Sequence, residues 1–598
     1  MKRRIGVAVC MALLAGVVAL APGIRASSQE STTLRIAIKG YENNLTPFTI
    51  TFGALPATND LVHLVNDSLF WSQVRSEPEP WLAESAEPSE DGRVWTVRLR
   101  DGVVWHDGTP FTAEDVKFSF DYYEAQASSA GRYAHHVSDI PDYASSEVVD
   151  PLTVRLTFNE PSPQFKSMPG ADLPILAKHV WEGVEDPKST SDRMPVGTGP
   201  FKVTEMVADQ RYVLEANDDY FKGRPLVDRL ELAVIPEPAA AFAALRTGDV
   251  DMVERIVPPE LLDQFRADPA ITVAEGTRIE SNQLYFNARK APLDDPRLRK
   301  AMSLGIDVGA LVDTVLLGNG RPGRDTFLHP DSPWAVSGGE HDFDPERANT
   351  SLDEAGYDQR DGDGVRLAPD GSRLDFSVLV SSFEPLDIRA VQLMAEQLAP
   401  IGVKLTAEPL EPTALRSRRQ APEGGGPPPY DLYISGLEAH AHVDPDALYY
   451  FFHSPGSRGF GGAITGYANP DYDALVERAV TADTAERKAL DAQAQTILAE
   501  EVPAQVLWYP DGLYAYRPGA YDRWLSDLGQ GIFTKRSFLT DYAPQPGRGP
   551  GGEQAAAASD DGGGGAGGTV LVVVLALVVV GALAAVVARR RRTASDEA

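Results

Sequence analysis

Two histidine pairs have the residue type and spacing that could bind a metal ion. His135 is next to His136, and a single residue separates His440 from His442. An imidazole pair holds a transition metal only with further ligands, and neither pair comes with a recognisable third ligand. We therefore expect no metal site and no cofactor, and a non-metal role for both pairs.

The acidic segment 361–364 partly resembles a calcium-binding loop, because Asp361 and Asp363 alternate with glycines. It lacks the further oxygen donors and the distal glutamate that such a loop requires. Since Asp-Gly steps are typical of tight turns, we predict a hairpin turn before Val365.

Motifs for enzymatic chemistry are absent from the sequence. It contains no Gly-x-Ser-x-Gly elbow, no phosphate-binding loop and no His-Glu-x-x-His helix. The single cysteine, Cys10, lies in an N-terminal apolar segment that we expect to be removed. The mature chain would then have no thiol for a disulfide, a metal site or a nucleophile. We predict a protein that is not an enzyme.

The length and charge of the chain narrow the class of protein further. It has 598 residues, a formal net charge of −31 and 43% hydrophobic residues. A chain of this length requires two or three lobes, each with a core of ordinary size. Because so acidic a protein would be repelled by a phosphate backbone, we expect no nucleic-acid partner.

The N-terminus has the three parts of a secretory signal peptide. Basic residues at 2–4 precede an apolar stretch from 5 to 21 and then small and polar residues. Cleavage after Ala21 would leave Pro22 at the first mature position, so we expect cleavage after Ala26. Residues 1–26 are therefore predicted to be the signal peptide.

The C-terminal segment predicts a membrane anchor. A flexible linker rich in Pro, Gly and Ala, 544–568, precedes the uncharged apolar run Thr569–Ala588 and four arginines. About 20 apolar residues suffice for a helix to cross the hydrocarbon core. The arginines should remain in the cytoplasm with the tail 589–598, which puts the folded part on the outer face of the cytoplasmic membrane.

Alternating apolar residues between these two ends predict half-buried strands. The clearest are Leu34–Ile38, Trp95–Leu99, Leu152–Phe158 and Leu230–Val234. Strand patterns and helix patterns alternate along the chain, which favours mixed α/β lobes.

Helix boundaries have their own signals. Thr112 and Asp115 have the spacing of a capping box. Asn469 and Pro470 predict the first turn of another helix, and Pro503 should end a long helical segment.

Recognisable sequence blocks follow one another along most of the chain. The first are Trp81–Ser85, Glu90–Gly92, Leu99–Val103 and His106–Val116. The next are Pro195–Phe201, Asn217–Phe221 and Gly223–Pro225. The last are Tyr285–Asn287, Asp295–Ala301, Ile306–Asp307, Asp344–Glu346, Glu354–Tyr357, Asp444–Asp446 and Asn469–Asp473. This succession, from about Leu34 to about Tyr516, resembles the family 5 extracellular solute-binding proteins, the oligopeptide, dipeptide and nickel class.

Most residues in these blocks have structural explanations. Asp107 and Gly108 predict a turn, and we expect a positive φ at Gly197 or Gly199. The blocks therefore identify a fold and do not by themselves indicate ligand contacts.

The resemblance implies an α/β bilobed fold of the periplasmic-binding-protein type with an extra inserted domain, preceding the C-terminal transmembrane helix. A discontinuous lobe I would form one wall of a ligand cleft and lobe III the other. The implied segments are 32–66, 195–288 and 505–543 for lobe I, 67–194 for inserted domain II, and 289–504 for lobe III.

The resemblance also implies a hinge and a set of partners. Chain crossings near 287–291 and near 502–508 would let the lobes close around a solute or peptide. The closed form would be recognised by the permease subunits of an ABC importer, which work with cytoplasmic ATPases. We expect a monomer that contacts the lipid bilayer only through its C-terminal helix.

The segment Gly436–Asp444 looks like the lobe III loop that lines the cleft in family members. Peptide binders of the family have an aspartate three residues before the Asp-Pro or Glu-Pro step, where this chain has Ala441. Alanine cannot offset the desolvation of a ligand ammonium group. In an extended segment, His440 and His442 would point away from the side of Ala441. The candidate ligand-binding residues are His440, His442, Asp444, Glu438, Tyr41, Asn43, Tyr285, Asn287 and Trp508.

Alternatives remain open at this point. A one-residue shift in alignment, or a neighbouring acid such as Asp444 or Glu438, would restore the usual ammonium site. The ligand could also be a metal chelate or an oligosaccharide. The same fold could serve a membrane-tethered receptor or sensor, although the short tail counts against this, and a hydrolase with an unfamiliar arrangement is a third possibility.

Overall fold

The computed structural model describes residues 32–544, with internal gaps. The gaps are 41–44, 46, 48–55, 72–77, 128–142, 164, 168, 172, 188–192, 208–209, 276–279, 420–426, 438–444, 455–464, 483 and 527–530. The predicted signal peptide, nearly all of the linker and the apolar run Thr569–Ala588 lie outside the described residues. Among the helices that are described, none has the length and apolar character needed to cross a membrane.

The described strands are short and the helices are mostly of two to four turns. The strands are β1 Thr33–Ile38, β2 Phe70–Trp71, β3 Glu79–Pro80, β4 Ala83–Pro88, β5 Val94–Leu99, β6 Tyr143–Asp150, β7 Thr153–Phe158, β8 Phe201–Val207, β9 Arg211–Ala216, β10 Arg229–Val234, β11 Met252–Val253, β12 Thr272–Glu275, β13 Ser281–Phe286, β14 Gly320–Pro322, β15 Asp375–Ser381, β16 Lys404–Leu410, β17 Leu432–Leu437, β18 Ala504–Pro510 and β19 Leu513–Tyr516. The helices are α1 Pro56–Val65, α2 Ala113–Ala127, α3 Lys178–Trp181, α4 Pro238–Thr247, α5 Leu262–Arg266, α6 Pro296–Leu304, α7 Val308–Val315, α8 Pro345–Glu354, α9 Pro385–Leu398, α10 Pro412–Arg419, α11 Asp446–Phe452, α12 Pro470–Ala479 and α13 Thr484–Glu501.

Two large mixed sheets and one smaller antiparallel sheet organise these elements. The first sheet has the order β12-β19-β11-β1-β10-β9-β8, and the second has the order β14-β18-β13-β17-β15-β16. The third sheet, β4-β5-β7-β6, lies between β1 and β8 in the sequence. Each sheet packs on its own apolar core, as expected for separate lobes.

The sequence-predicted strands are confirmed as β1, β5, β7 and β10. In β5 the alternation of burial is complete, with Trp95, Val97 and Leu99 facing the core. The two helix starts are confirmed as well. The backbone N–H of Thr112 donates to Asp115 at 2.9 Å, and the Asn469 side chain accepts from the backbone N–H of Tyr472 at 3.1 Å.

The turn predicted before Val365 is also confirmed. The carboxylate of Asp361 accepts backbone hydrogen bonds from Asp363 at 2.9 Å and from Val365 at 3.0 Å. Arg360 and Arg366 pair as an antiparallel bridge on either side of the turn. The aspartates therefore stabilise a hairpin.

The chain crossings differ from those expected. β13 lies in the centre of the second sheet, between β17 and β18, whereas β12 and β19 pair with each other in the first sheet. The chain therefore changes lobes between Glu275 and Ser281 and between Pro510 and Leu513, not near 287–291 and 502–508. Sequence motifs identify strands, but only the hydrogen-bonded pairing assigns a strand to a sheet.

The predicted positive φ at Gly197 or Gly199 is wrong, and glycine is required there for a different reason. Neither glycine has a positive φ. Instead, a Cβ at Gly197 would lie 1.9 Å from the carbonyl oxygen of Val65, and a Cβ at Gly199 would lie 2.5 Å from the Val65 carbonyl carbon. Glycine is required because two backbone segments approach each other, whereas Gly108 has the positive φ of a turn, +88°.

A fully buried ion pair joins the segment between α1 and β2 to the segment after β19. Lys535 Nζ lies 2.6 Å from Asp67 Oδ1, and both side chains are 0% exposed. The same carboxylate accepts from Trp81 Nε1 at 2.7 Å and from Thr198 Oγ1 at 2.9 Å. The ammonium also lies 4.6 Å from the centre of the Trp81 ring. This network offsets part of the desolvation of the two charges.

Candidate functional site: a cleft between strand ends

The direction of the strands defines a candidate cleft. β1 runs parallel to β10 and β11, so the carboxyl ends of these strands share one edge of the first sheet. β15 runs parallel to β16 and β17, which gives the second sheet an equivalent edge. Both chain crossings leave from these edges. In open α/β sheets, ligands bind outside the carboxyl ends of the strands.

A contact between charged side chains joins the two edges. Lys39, directly after β1, donates from Nζ to Glu384, which lies between β15 and α9. The Lys39 side chain is 14% exposed and that of Glu384 is 41% exposed. The strand ends of the two lobes therefore meet at this point.

Behind this contact lies a buried carboxyl group. Asp387, in the first turn of α9, accepts a hydrogen bond from Asn282 Nδ2 at 2.7 Å. Burial, and then the nearby charge of Glu384, raises the pKa of Asp387 well above its ordinary value, and Lys39 opposes this shift. Burial therefore disfavours the charged form of Asp387 beside the Lys39–Glu384 contact.

The end of β17 is closely covered. A Cβ at Gly436 would lie 3.2 Å from Oε1 of Glu280, the residue before β13. Gly436 leaves room for this carboxylate beside the start of the predicted ligand loop, so lobe III presents acidic groups at its edge.

Lobe I contributes an arginine near the same edge. Arg255 lies two residues after β11, and its Nη2 is buried without a hydrogen-bond partner among the described residues. A buried guanidinium donor without an acceptor is costly. A carboxylate on a bound solute would provide the missing acceptor.

The sequence-predicted site residues have different locations. Tyr41, Asn43, Glu438, His440, His442 and Asp444 lie outside the described residues. The structure describes the remaining three, Tyr285, Asn287 and Trp508, and their side chains are buried.

These three side chains contribute to the internal packing and hydrogen bonding of lobe III. Tyr285 is buried and stacks on Tyr433 with ring centres 5.8 Å apart, and burial raises its pKa. Asn287 donates to the carbonyl oxygen of Tyr430 at 2.8 Å and is 0% exposed. Trp508 belongs to the apolar core. Asn287 follows β13, which is antiparallel to β17, so it lies at the edge opposite the cleft.

Lys39, Asn282, Glu384 and Asp387 are not among the residues that the sequence motifs single out. The available signal was position: Lys39 follows a predicted strand, and Glu384 precedes a proline at a helix start. The pairing between residues 345 positions apart was not visible in the sequence.

Comparison with known proteins identifies the family. The family model described as bacterial extracellular solute-binding proteins, family 5 middle, matches residues 77–459. The chain belongs to this family. It is therefore an extracellular solute-binding protein with an α/β fold of the periplasmic-binding-protein type.

Relatives match along most of their length. The chain is 28% identical over 537 residues to heme-binding protein A of Haemophilus influenzae, covering 84% of this chain and 92% of the relative. It is 25% identical over 503 residues to the dipeptide-binding protein of Escherichia coli, covering 81% of this chain and 90% of the relative. The structure of the oligopeptide-binding protein AppA of Bacillus subtilis with a nonapeptide matches with a TM-score of 0.71 and 24% identity. The match covers 81% of this chain and 94% of the AppA chain.

Proposed function

We propose that this protein captures a solute between lobes I and III and delivers it to the permease of an ABC importer. The Lys39–Glu384 contact carries this proposal, because it joins the strand ends from which both crossings leave. Closure around a solute would strengthen this contact by excluding water. The relatives include proteins named for heme and dipeptide binding, which supports solute capture on this fold.

We propose lobe boundaries that follow the sheets. Lobe I consists of 32–66, 195–275 and 513–543, domain II spans 67–194, and lobe III spans 281–510. Limited proteolysis tests this division, since the first cuts between lobes should fall within 276–280 or at 511–512. First cuts within β13 or β18 would contradict it.

We propose that this protein does not bind the free amino group of a peptide through an aspartate, as peptide binders of the family do. Ala441 replaces the expected aspartate, and His440 or His442 would contact a modified peptide or another solute. Arg255 would donate to a carboxylate of that solute.

Mass spectrometry of the solute that co-purifies with the protein identifies the ligand class. Calorimetry then compares this solute with a mixed dipeptide and tripeptide library, using the wild type, His440→Ala, His442→Ala, Asp444→Asn and Arg255→Gln. We expect weaker binding of the solute by Arg255→Gln and by at least one histidine variant. Tight binding of free-amine dipeptides that only Asp444→Asn abolishes would favour an ordinary peptide binder. Chemically changed solute after incubation would favour a hydrolase.

A single C-terminal helix, Thr569–Ala588, is proposed to anchor the protein to the outer face of the cytoplasmic membrane. The full-length protein should fractionate with membranes, whereas residues 27–543 should form a soluble monomer by light scattering. Processed full-length protein that still contains this run, found free in the medium, would contradict the anchor.

A further inference from the structure

A cavity separate from the cleft lies in lobe III, on the flank of the edge strand β14. Its volume is about 760 Å³, and it is lined by residues from β14, the start of α7 and the segment 330–343. Cavities of this size hold small molecules in other proteins. None of the cleft residues described above lines it.

Two hydrogen-bond donors of the lining lack acceptors. Tyr509 is 2% exposed, and its hydroxyl donates to no acceptor among the described residues, although the backbone of Arg324 lies beside its oxygen. Arg324 Nη2 donates to the carbonyl oxygen of Val336 at 3.2 Å, but its Nε is buried without an acceptor. In the described part of the chain, Arg324 forms no ion pair with a carboxylate. The cavity therefore contains a positive charge and a hydroxyl whose hydrogen bonds are incomplete.

Most of the other charged groups of the lining already form hydrogen bonds or ion pairs within the protein. Asp307 accepts from the backbone N–H of Ala310 at 2.9 Å and caps α7, and Arg321 pairs with Asp331 at 2.8 Å. His341 contacts Asp325 at 2.5 Å through Nδ1. Glu340 is exposed. What the cavity lacks is an acceptor for Arg324 and Tyr509.

The rim of the cavity adds an apolar surface. Phe343 is 45% exposed, one of the few large hydrophobic side chains exposed in the described structure. An aromatic ring at the mouth of a charged cavity suits a ligand with an apolar body and an anionic head.

We propose that this cavity binds a small oxyanion ligand, a carboxylate or a phosphate, independently of the solute in the cleft. The oxygens of the ligand accept from Arg324 and Tyr509, and the apolar body of a carboxylate packs on Phe343. This second site goes beyond solute capture and does not depend on the identity of the transported solute.

Calorimetric titration of the full chain with benzoate and with inorganic phosphate tests the proposal. We expect saturable binding of at least one probe at one site per chain. Arg324→Gln should weaken it about tenfold or more, which is the effect of losing a charged hydrogen bond. Tyr509→Phe should weaken it several-fold with little change in Tm, because this hydroxyl donates no hydrogen bond to the described part of the protein. Arg155→Gln, an exposed arginine of domain II, is the matched control and should bind like the wild type.

The probes distinguish the two sources of the oxyanion. Saturable binding of benzoate alone identifies a carboxylate, and binding of phosphate identifies a phosphate group. If neither probe saturates, or if Tyr509→Phe binds like the wild type, the site is refuted. Tyr509→Phe decides the question even if Arg324→Gln reduces folding stability.

Discussion

At the scale of single residues, a buried charge in this protein can be stabilised by several partners at once. Asp67 is the clearest case, with Lys535, Trp81 and Thr198 around one carboxylate. Burial lowers the pKa of Lys535, and the charge of Asp67 opposes this effect. The pair therefore depends on both members remaining in place.

Removal of one member of this pair should be strongly destabilising. Lys535→Met leaves a buried carboxylate without its cation, and we expect a loss of about 3–5 kcal/mol in the free energy of unfolding. Urea titration measures this loss. The double variant Lys535→Met, Asp67→Asn should be less destabilised than Lys535→Met. The control Lys117→Met removes an exposed pair and should cost less than about 1 kcal/mol. Equal losses in Lys535→Met and Lys117→Met would contradict the role of burial.

Asp325 should make stability depend on acid pH. Burial acts to raise its pKa, but hydrogen bonding to His341 and the charge of Lys300 outweigh burial and lower the pKa below its ordinary value of 3.8. A carboxyl group with a lowered pKa contributes stability above its unfolded pKa, and this contribution is lost as pH falls through the folded pKa.

We therefore expect Asp325→Asn to cost about 2 kcal/mol at pH 5 and less at pH 3. Urea titrations at the two pH values measure the difference. The control is Glu147→Gln, which removes an exposed ion pair with Arg155. A cost that is equal at the two pH values would contradict the assignment.

At the scale of elements, close backbone approach joins α1 to the segment before β8. Gly197 and Gly199 lie against the last residues of α1, and His106 accepts from the backbone N–H of Gly197 at 3.3 Å. Burial, the largest effect, lowers the pKa of His106 to about 4, so His106 is neutral at physiological pH. A neutral imidazole can both accept from Gly197 and donate to Gly199 O, 3.0 Å away.

Gly197→Ala should destabilise this junction by about 1–3 kcal/mol, because the new Cβ would overlap the Val65 carbonyl oxygen. Thermal unfolding measures the effect. Gly183→Ala is the matched control, since a Cβ at Gly183 meets no atom within 4 Å. A Gly197→Ala protein as stable as Gly183→Ala would show that the two segments separate easily.

At the scale of the whole molecule, two short crossings and one charged contact connect lobes I and III. The crossings follow β12 and β18, and the Lys39–Glu384 contact lies at the strand ends. A hinge of this kind allows closure with little change inside each lobe.

Glu384→Gln should shift the lobes towards the open arrangement. An ion pair with one exposed member contributes up to about 1 kcal/mol, so the ratio of open to closed protein should rise by up to about fivefold. Small-angle scattering should then show a larger radius of gyration for the variant, and a smaller radius when the co-purified solute is added to the wild type. Lys404→Met removes a pair inside lobe III and should leave the radius unchanged. Identical scattering with and without a confirmed ligand would contradict the hinge.

The sequence by itself determined the family, the strands β1, β5, β7 and β10, the helix starts at Thr112 and Asn469, and the hairpin at Asp361. The family follows from the order of short blocks along the chain, and each of the other features depends on residues close together, where periodicity and capping act directly. Only the tertiary structure decided that β13 and β18 belong to the second sheet, that Gly197 is required by a neighbouring backbone, and that Lys39 meets Glu384. These facts depend on pairings between distant segments, and the residue types at either position do not specify their partners.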